Sequence, residues 1–413
     1  MHFYFIGIKG AGMSALANIL VDLGHKVSGV DYSKKYFTEA TFRNLIEVES
    51  FDNFILKKEC FYIIGNAFKL HEVTKKIIEL NYEYEHYSKF IESFFKMQKI
   101  GISGSHGKTT TTSLISQLFS QDLNVLVGDG YGRGSDKAKY LLFEACEYQN
   151  NFLNYTFDYL VILNIDYDHP DFFMNNTDYV FSFQKAALNT KTLIINYDEH
   201  NCRRIVHNNK ITYGFSPNAD IVLRLENKKL ILKFDDEEYE VEFNFFGKYM
   251  AYNLAAAIIV TYLIEGRIDS INVKINQLKL PARRFAEHII REDLILVNDY
   301  AHHPTEISSV LKALKLKYPD FKIVAIYQGH THSRTKTFCN EYVDSLKNAD
   351  EVYIMPTFSS VREDDFESWL LVDANKSFKR YDRSLKEHLL KCSNLVIVFL
   401  GAGDIDAEFN FFN

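Results

Sequence analysis

Apolar and polar positions alternate along the chain in blocks that predict an α/β protein. Residues 2–7 form a continuous apolar run, and residues 13–23 repeat apolar positions at helical spacing. A short apolar run bounded by glycine reads as a buried strand, and recurrence every three or four residues reads as a helix. A second strand over 26–30 ends at Asp31, completing a strand–helix–strand opening. A third strand over 61–64 runs into Gly65-Asn66-Ala67. The pattern restarts near Gln98, with a weak strand at 99–102 and a helix over 109–119. Strands at 140–143 and 159–165 follow, each ending in acidic residues. Residues 221–245 alternate apolar and charged positions, as hairpin strands do, and 253–264 reads as an apolar core helix. A linker over 277–284 leads to strands at 294–297, 322–327, 351–354 and 395–400 with helices between them.

Length and charge narrow the picture. At 413 residues the chain exceeds one ordinary domain, and its 47% hydrophobic content is enough to build real cores. A net charge of −7 and the lack of a basic run argue against a nucleic-acid surface. Five scattered cysteines, Cys60, Cys146, Cys202, Cys339 and Cys392, show no C-x-x-C spacing, which suggests neither zinc nor a disulfide framework and fits a reducing cytosol. The apolar start is too short for a signal peptide, and no stretch approaches a membrane span. A cytoplasmic protein, monomeric or homodimeric, is expected.

The strongest chemical signal is Gly104-Ser105-His106-Gly107-Lys108-Thr109-Thr110, between a strand and a helix. Backbone amides in such a loop, with the positive end of the helix, cradle phosphate oxygens. Lys108 would reach the outer phosphates, and the Thr109 hydroxyl would hold Mg²⁺. The spacing departs from the standard phosphate loop, whose first glycine would fall at Ile102. Near the start, Gly7-Ile8-Lys9-Gly10-Ala11-Gly12 is a second glycine-rich turn, in the order G-x-x-G-x-G rather than the dinucleotide order. It suits a diphosphate at a helix N-terminus, and Asp31 stands where an acid can meet a ribose hydroxyl. The plainer reading is a turn needed for close packing. Glu144, ending a strand beside the phosphate loop, is a candidate Mg²⁺ ligand, and His169 a candidate for a second ion. Four loop histidines, His302, His303, His330 and His332, invite a zinc reading that no further ligand pattern supports.

The ordered set of these motifs resembles the Mur ligase family. The matching pieces are Gly7-Ile8-Lys9-Gly10-Ala11-Gly12-Met13-Ser14, Gly65-Asn66-Ala67-Phe68, the phosphate loop, Phe143-Glu144-Ala145-Cys146-Glu147-Tyr148, and Asn164-Ile165-Asp166-Tyr167-Asp168-His169. Later come Arg283-Arg284-Phe285, Asp299-Tyr300-Ala301-His302-His303-Pro304-Thr305-Glu306, His330-Thr331-His332-Ser333-Arg334-Thr335 and Gly401-Ala402-Gly403-Asp404-Ile405. The resemblance spans nearly the whole chain. It implies three α/β domains: a Rossmann-like unit over 1–97 that binds a UDP substrate, a central P-loop ATPase-like unit over 98–280, and a Rossmann-like amino-acid-binding unit over 281–413.

The His-Gly-Lys-Thr loop and the His-His-Pro-Thr-Glu run are similar to the alanine-adding branch. That branch implies ligation of L-alanine to the lactyl carboxylate of UDP-N-acetylmuramate through an acyl phosphate, with ATP and Mg²⁺, in peptidoglycan synthesis and cell-wall biogenesis. By the same resemblance, Lys108, Glu144, His169 and Arg284 would be catalytic, and Thr109, Glu144 and His169 would hold metal. ATP would contact Gly104, Ser105, His106, Gly107, Lys108, Thr109, Thr110, Asn253 and Asp299. The UDP substrate would contact Gly10, Ala11, Gly12, Met13, Ser14, Asp31 and Asn66. The amino acid would contact Tyr300, His302 and Arg334.

Some positions depart from the family pattern. The adenine-associated Gly-x-His-Asn-x-x-Asn motif stands here as Gly247-Lys248-Tyr249-Met250-Ala251-Tyr252-Asn253. Thr331 replaces an arginine of some relatives, and Gln184, beside Lys185, takes the place of a modified lysine. A sister enzyme that adds a preformed peptide or another amino acid is the alternative. A nicotinamide oxidoreductase built on the first glycine turn would leave the phosphate loop unexplained, and a regulator without chemistry would have no use for Lys108, Glu144, His169 and Arg334. Closure is expected about hinges near Gln98 and Leu280.

Overall fold

The computed structural model describes residues 1–34, 36–234, 237–266, 274–358 and 369–413. They form three α/β domains, each built on its own sheet. The first sheet is wholly parallel, in the order Glu47–Ser50, Lys26–Asp31, His2–Ile6, Phe61–Ile64, Tyr84–His86. Its central strand is apolar and buried because helices cover both faces of a parallel sheet. The chain leaves His2–Ile6 towards Lys26–Asp31 on one side and later returns to Phe61–Ile64 on the other. That reversal opens a crevice at the carboxyl ends of the strands, where the glycine turn lies.

The second sheet has ten strands. Gln98–Ser103 lies between Phe157–Ile162 and Tyr140–Glu144, both parallel to it, which makes a second reversal point at the start of the phosphate loop. The hairpin strands Ile221–Glu226, Lys229–Phe234 and Glu237–Glu242 extend one edge, as alternation predicts. The third sheet has the order Ala286–Arg291, Leu294–Asp299, Leu395–Leu400, Lys322–His330, Glu351–Phe358, Lys379–Arg380. Its first strand is antiparallel and the rest are parallel. The helix expected over 253–264 runs Lys248–Glu265. Tyr249 and Met250 lie in its first turn.

Contacts divide the chain into two compact units. Unit 1 is Met1–Tyr167, Asn175–Phe243 and Tyr252–Lys279, and carries the first two sheets. Unit 2 is Asp168–Met174, Asn244–Ala251 and Leu280–Asn413, and carries the third. Gln98 lies inside unit 1, and one reason is a ribbon with glycine at every second position from Gly128 to Gly134. It runs along the helix Ala11–Asp22: a Cβ on Gly132 would fall 1.9 Å from the Ala15 carbonyl oxygen, and one on Gly134 would fall 2.7 Å from that of Ile19. Asn18 Nδ2 and Thr41 Oγ1 donate to the Gly130 carbonyl at 3.3 and 2.9 Å, and the Gly134 amide donates to Asp22 at 3.0 Å. These contacts join the first two sheets directly, so the chain near Gln98 is flanked by packed structure on both sides.

Candidate functional site

In unit 1 the strand Gln98–Ser103 ends and the chain turns through residues 104–107 into the helix Lys108–Leu118. Gly104 and Gly107 have φ of +134° and +85°, which side chains with a Cβ resist. A Cβ on Gly107 would also come within 2.5 Å of Asn253 Oδ1, so Asn253 lies directly against the loop. Gly107 cannot cap the helix with a side chain, which leaves the first amides to an anion. The loop is held from its far side. Asn164 Oδ1 accepts from the His106 amide at 2.8 Å, and Asn164 Nδ2 donates to the His106 carbonyl at 3.0 Å. Ser105 Oγ donates to the Asp166 carbonyl at 2.6 Å and accepts from the Asp166 amide at 2.9 Å. His106 Nε2 lies 2.9 Å from Asp166 Oδ2.

Lys108 folds back over this loop. Its ammonium donates to the carbonyls of Gly104 and Ser105, and to Glu147 Oε2 and Oε1 at 2.9 and 3.1 Å. Burial pulls Lys108 towards the neutral form, but Glu147, together with Cys146 and Glu144 beside it, outweighs burial and holds the ammonium above its ordinary range. Glu144 ends its strand level with Ile102 and accepts from the Gly128 amide. Thr109 stands in the first turn of the helix, and Thr110 is buried beneath it. A threonine hydroxyl and a carboxylate are oxygen donors of the kind Mg²⁺ takes beside phosphates.

The first glycine turn, also in unit 1, divides the residues expected there. Gly10 precedes the helix Ala11–Asp22, and a Cβ on Gly12 would fall 2.6 Å from the Tyr87 hydroxyl. Met13 is buried beside Gly65, and the buried Ser14 Oγ donates to the Ile8 carbonyl at 2.9 Å. Asp31 is only 3% exposed, and its carboxylate accepts from the Lys9 and Tyr32 amides, both at 2.8 Å. Those bonds make Asp31 a buckle between two loops. Asn66 differs: its Oδ1 is buried with no hydrogen-bond partner among the described residues. That leaves the Asn66 carbonyl oxygen able to accept a further hydrogen bond at the strand's carboxyl end.

Unit 2 holds the other candidates. Arg334 grips Asp168 with Nε to Oδ1 at 2.8 Å and Nη2 to Oδ2 at 3.1 Å. Burial works against the Asp168 carboxylate, but His169, Arg334, His303 and His302 around it hold its pKa well below the usual range. His169 has φ +56°, and its amide donates to Asp168 Oδ1 at 2.7 Å. The guanidinium carbons of Arg283 and Arg284 lie 4.8 and 5.1 Å from the centre of the Tyr300 ring. His302 Nδ1 is 3.1 Å from the Tyr300 carbonyl, and burial pushes the imidazole down to about 4. Asp299 accepts from the Phe285 and Ala301 amides at 2.7 and 2.8 Å, and burial pushes its carboxyl up to about 6.

The expected residues therefore fall into separate groups. Lys108, Thr109, Glu144 and Asn253 belong to unit 1; His169, Arg284, Asp299, Tyr300, His302 and Arg334 belong to unit 2. Gln184 exchanges two hydrogen bonds, each 2.9 Å, with the Val206 backbone, and the exposed Lys185 lies over the Phe181 ring. Sequence reasoning assigned no role to Glu147, Asn164, Asp168 or Tyr179. The first three stood inside motif runs, where a second acid three residues after Glu144 was the available sign. Tyr179 had none.

Three family models match in succession: Mur ligase family, catalytic domain, over residues 2–99; Mur ligase middle domain, over 102–261; and Mur ligase, glutamate ligase domain, over 283–394. The chain belongs to the Mur ligase family, whose members are ATP-dependent ligases of peptidoglycan synthesis. Solved structures share the fold at low identity. The UDP-N-acetylmuramate-alanine ligase of Thermotoga maritima is 22% identical with a TM-score of 0.82, over 100% of this chain and 98% of that one. A murein peptide ligase of Psychrobacter arcticus is 18% identical with a TM-score of 0.68, over 100% and 98% of the two chains. The MurF ligase of Thermotoga maritima, solved with ADP, is 16% identical with a TM-score of 0.64, over 93% of each. Among the described residues no helix is long and apolar enough to cross a membrane.

Proposed function

We propose that this protein joins L-alanine to the lactyl carboxylate of UDP-N-acetylmuramate with cleavage of ATP, in the cytoplasm, as a step of peptidoglycan synthesis. The observation that carries the reading is the cradle at residues 104–108, with Lys108 above it and Glu144 at the neighbouring strand end. The His-Gly-Lys-Thr and His-His-Pro-Thr-Glu runs support alanine as the group added. The domains are taken as 1–97 for the UDP substrate, 98–280 for ATP and 281–413 for the amino acid.

The chemistry needs positioning and charge neutralisation more than covalent help from the protein. A lactyl carboxylate oxygen attacks the γ-phosphorus of ATP, the bond to ADP breaks, and an acyl phosphate results. The alanine nitrogen then attacks the acyl carbon, phosphate leaves, and the nitrogen gives up a proton. Lys108 supplies positive charge where the transferring phosphoryl group gains negative charge. Thr109 and Glu144 would hold one Mg²⁺, with His169 assigned to a second; such an ion neutralises phosphate oxygens when bound. Asn253 and Asp299 are assigned to the nucleoside, Arg284 to the phosphates, and residues 10–12 with Asn66 to the UDP substrate. Tyr300 and His302 are assigned to alanine, with Arg334 shaping that site through Asp168.

The test is phosphate release from ATP with UDP-N-acetylmuramate and each amino acid in turn. Release dependent on L-alanine is expected, and ¹⁸O placed in the lactyl carboxylate should appear in the phosphate. Release only with a preformed peptide would instead assign the chain to a peptide-adding ligase.

A further inference from the structure

We propose that Glu147 is a positioning residue for phosphoryl transfer: its buried carboxylate sets the place of the Lys108 ammonium over the loop at 104–107. The inference rests on the ligase reading above and adds a residue to it. Glu147 is 1% exposed and follows the strand that carries Glu144. A carboxylate this buried is costly unless a cation and hydrogen bonds accompany it. Both of its oxygens accept from Lys108 Nζ, which also donates to the loop carbonyls of Gly104 and Ser105. The lysine is thereby confined between its own loop and one acid, instead of sampling the rotamers open to a long side chain.

A third residue ties Glu147 to the same loop. The Tyr179 hydroxyl, on the buried face of the helix Asn176–Leu188, lies 2.9 Å from Ser105 Oγ and 3.5 Å from Glu147 Oε1. Ser105 gives its own proton to the Asp166 carbonyl, so the single tyrosine proton serves Ser105 at the shorter distance. If Lys108 moves towards a phosphate, that proton can turn to Glu147 and support its charge. Lys108, Glu147, Tyr179 and Ser105 thus form one set in unit 1, built around the end of the lysine that the reaction uses.

A double-variant cycle in the whole 413-residue chain tests this. Glu147→Gln should lower kcat by about ten- to a hundredfold, the scale of one charge-assisted hydrogen bond, and leave the KM for UDP-N-acetylmuramate unchanged. Glu147→Asp, which keeps the charge, should recover much of that loss. In a Lys108→Met background, Glu147→Gln should bring no further loss in kcat, because Glu147 acts through the lysine. Equal losses in the two backgrounds, or a wild-type kcat in Glu147→Gln, would overturn the proposal. Should Glu147→Gln fail to fold, Glu147→Asp decides: it keeps the charge but draws it back by one methylene, so a kcat lowered by less than about tenfold with unchanged KM supports the role, and a fully wild-type kcat overturns it. A wild-type enzyme that releases no phosphate from ATP with any substrate would overturn the ligase reading and this inference together.

Discussion

Arg334 and Asp168 form a two-pronged ion pair inside unit 2, with side chains only 6% and 4% exposed. The pair joins residues 166 positions apart and fixes Asp168–Met174 against the helix His332–Thr337. The same carboxylate accepts the His169 amide, so the direction of His169 depends on the fork.

Arg334→Lys keeps a charge but cannot copy the fork. Removing one partner of a buried pair costs about 3–5 kcal/mol. Asp168→Asn should therefore lower the denaturant midpoint markedly, and Arg334→Lys by a smaller amount. A joint replacement by apolar residues of similar volume should lose less than Asp168→Asn alone. Urea unfolding followed by circular dichroism measures this, and an unchanged midpoint in Asp168→Asn would remove the structural importance of the pair.

Lys108→Met should reduce phosphate release by about a thousandfold or more, since its charge acts on the developing phosphoryl charge. It should also destabilise unit 1, because the buried Glu147 loses its ammonium. Stability and turnover then separate: adding Glu147→Gln should restore much of the melting temperature but none of the turnover. Calorimetry beside a phosphate-release assay reads both.

His302 titrates near 4 because burial disfavours the imidazolium. Its folded pKa lies below the unfolded value of about 6.5, so the unfolded chain binds more protons between those limits. The stability contributed by the neutral ring is complete above pH ~6.5 and is lost as pH falls towards 4. The whole effect is on the order of 3 kcal/mol. Asp299, raised to about 6, has the opposite slope over part of this window, so His302→Gln should make stability rise less with pH than in the wild type between about pH 4 and 6.5, and an NMR titration of the ring with a midpoint near 6.5 would contradict the assignment.

Gly132→Ala places a methyl group 1.9 Å from the Ala15 carbonyl oxygen, which backbone atoms cannot absorb without shifting. The expected loss is about 1–3 kcal/mol, the usual cost of overpacking. Limited proteolysis near Gln98 should accelerate in this variant, because the ribbon is one of the contacts that pack the two sheets of unit 1 together. Digestion at the wild-type rate would show that other contacts suffice.

Local sequence determined the elements and the phosphate loop. The runs at 3–6 and 395–400 are apolar without interruption because both faces of a parallel strand are covered, and that demand is written in consecutive residues. Gly104 and Gly107 could be read directly, since left-handed backbone at a strand-to-helix turn needs glycine. Short strands such as Gly132–Arg133 and Lys379–Arg380 were not legible, because two residues carry no period and owe their pairing to neighbours. Tertiary structure alone decided who partners whom. Glu147 is a common acid until folding buries it against Lys108, and Asp168 is one of several acids until Arg334, far along the chain, closes on it. Asp31 and Asp299 both stand at strand ends as expected, yet the backbone amides that occupy their carboxylates come from loops whose paths no local pattern encodes. Side-chain chemistry can be read one residue at a time, whereas burial and pairing are properties of residues that meet only after the chain has folded.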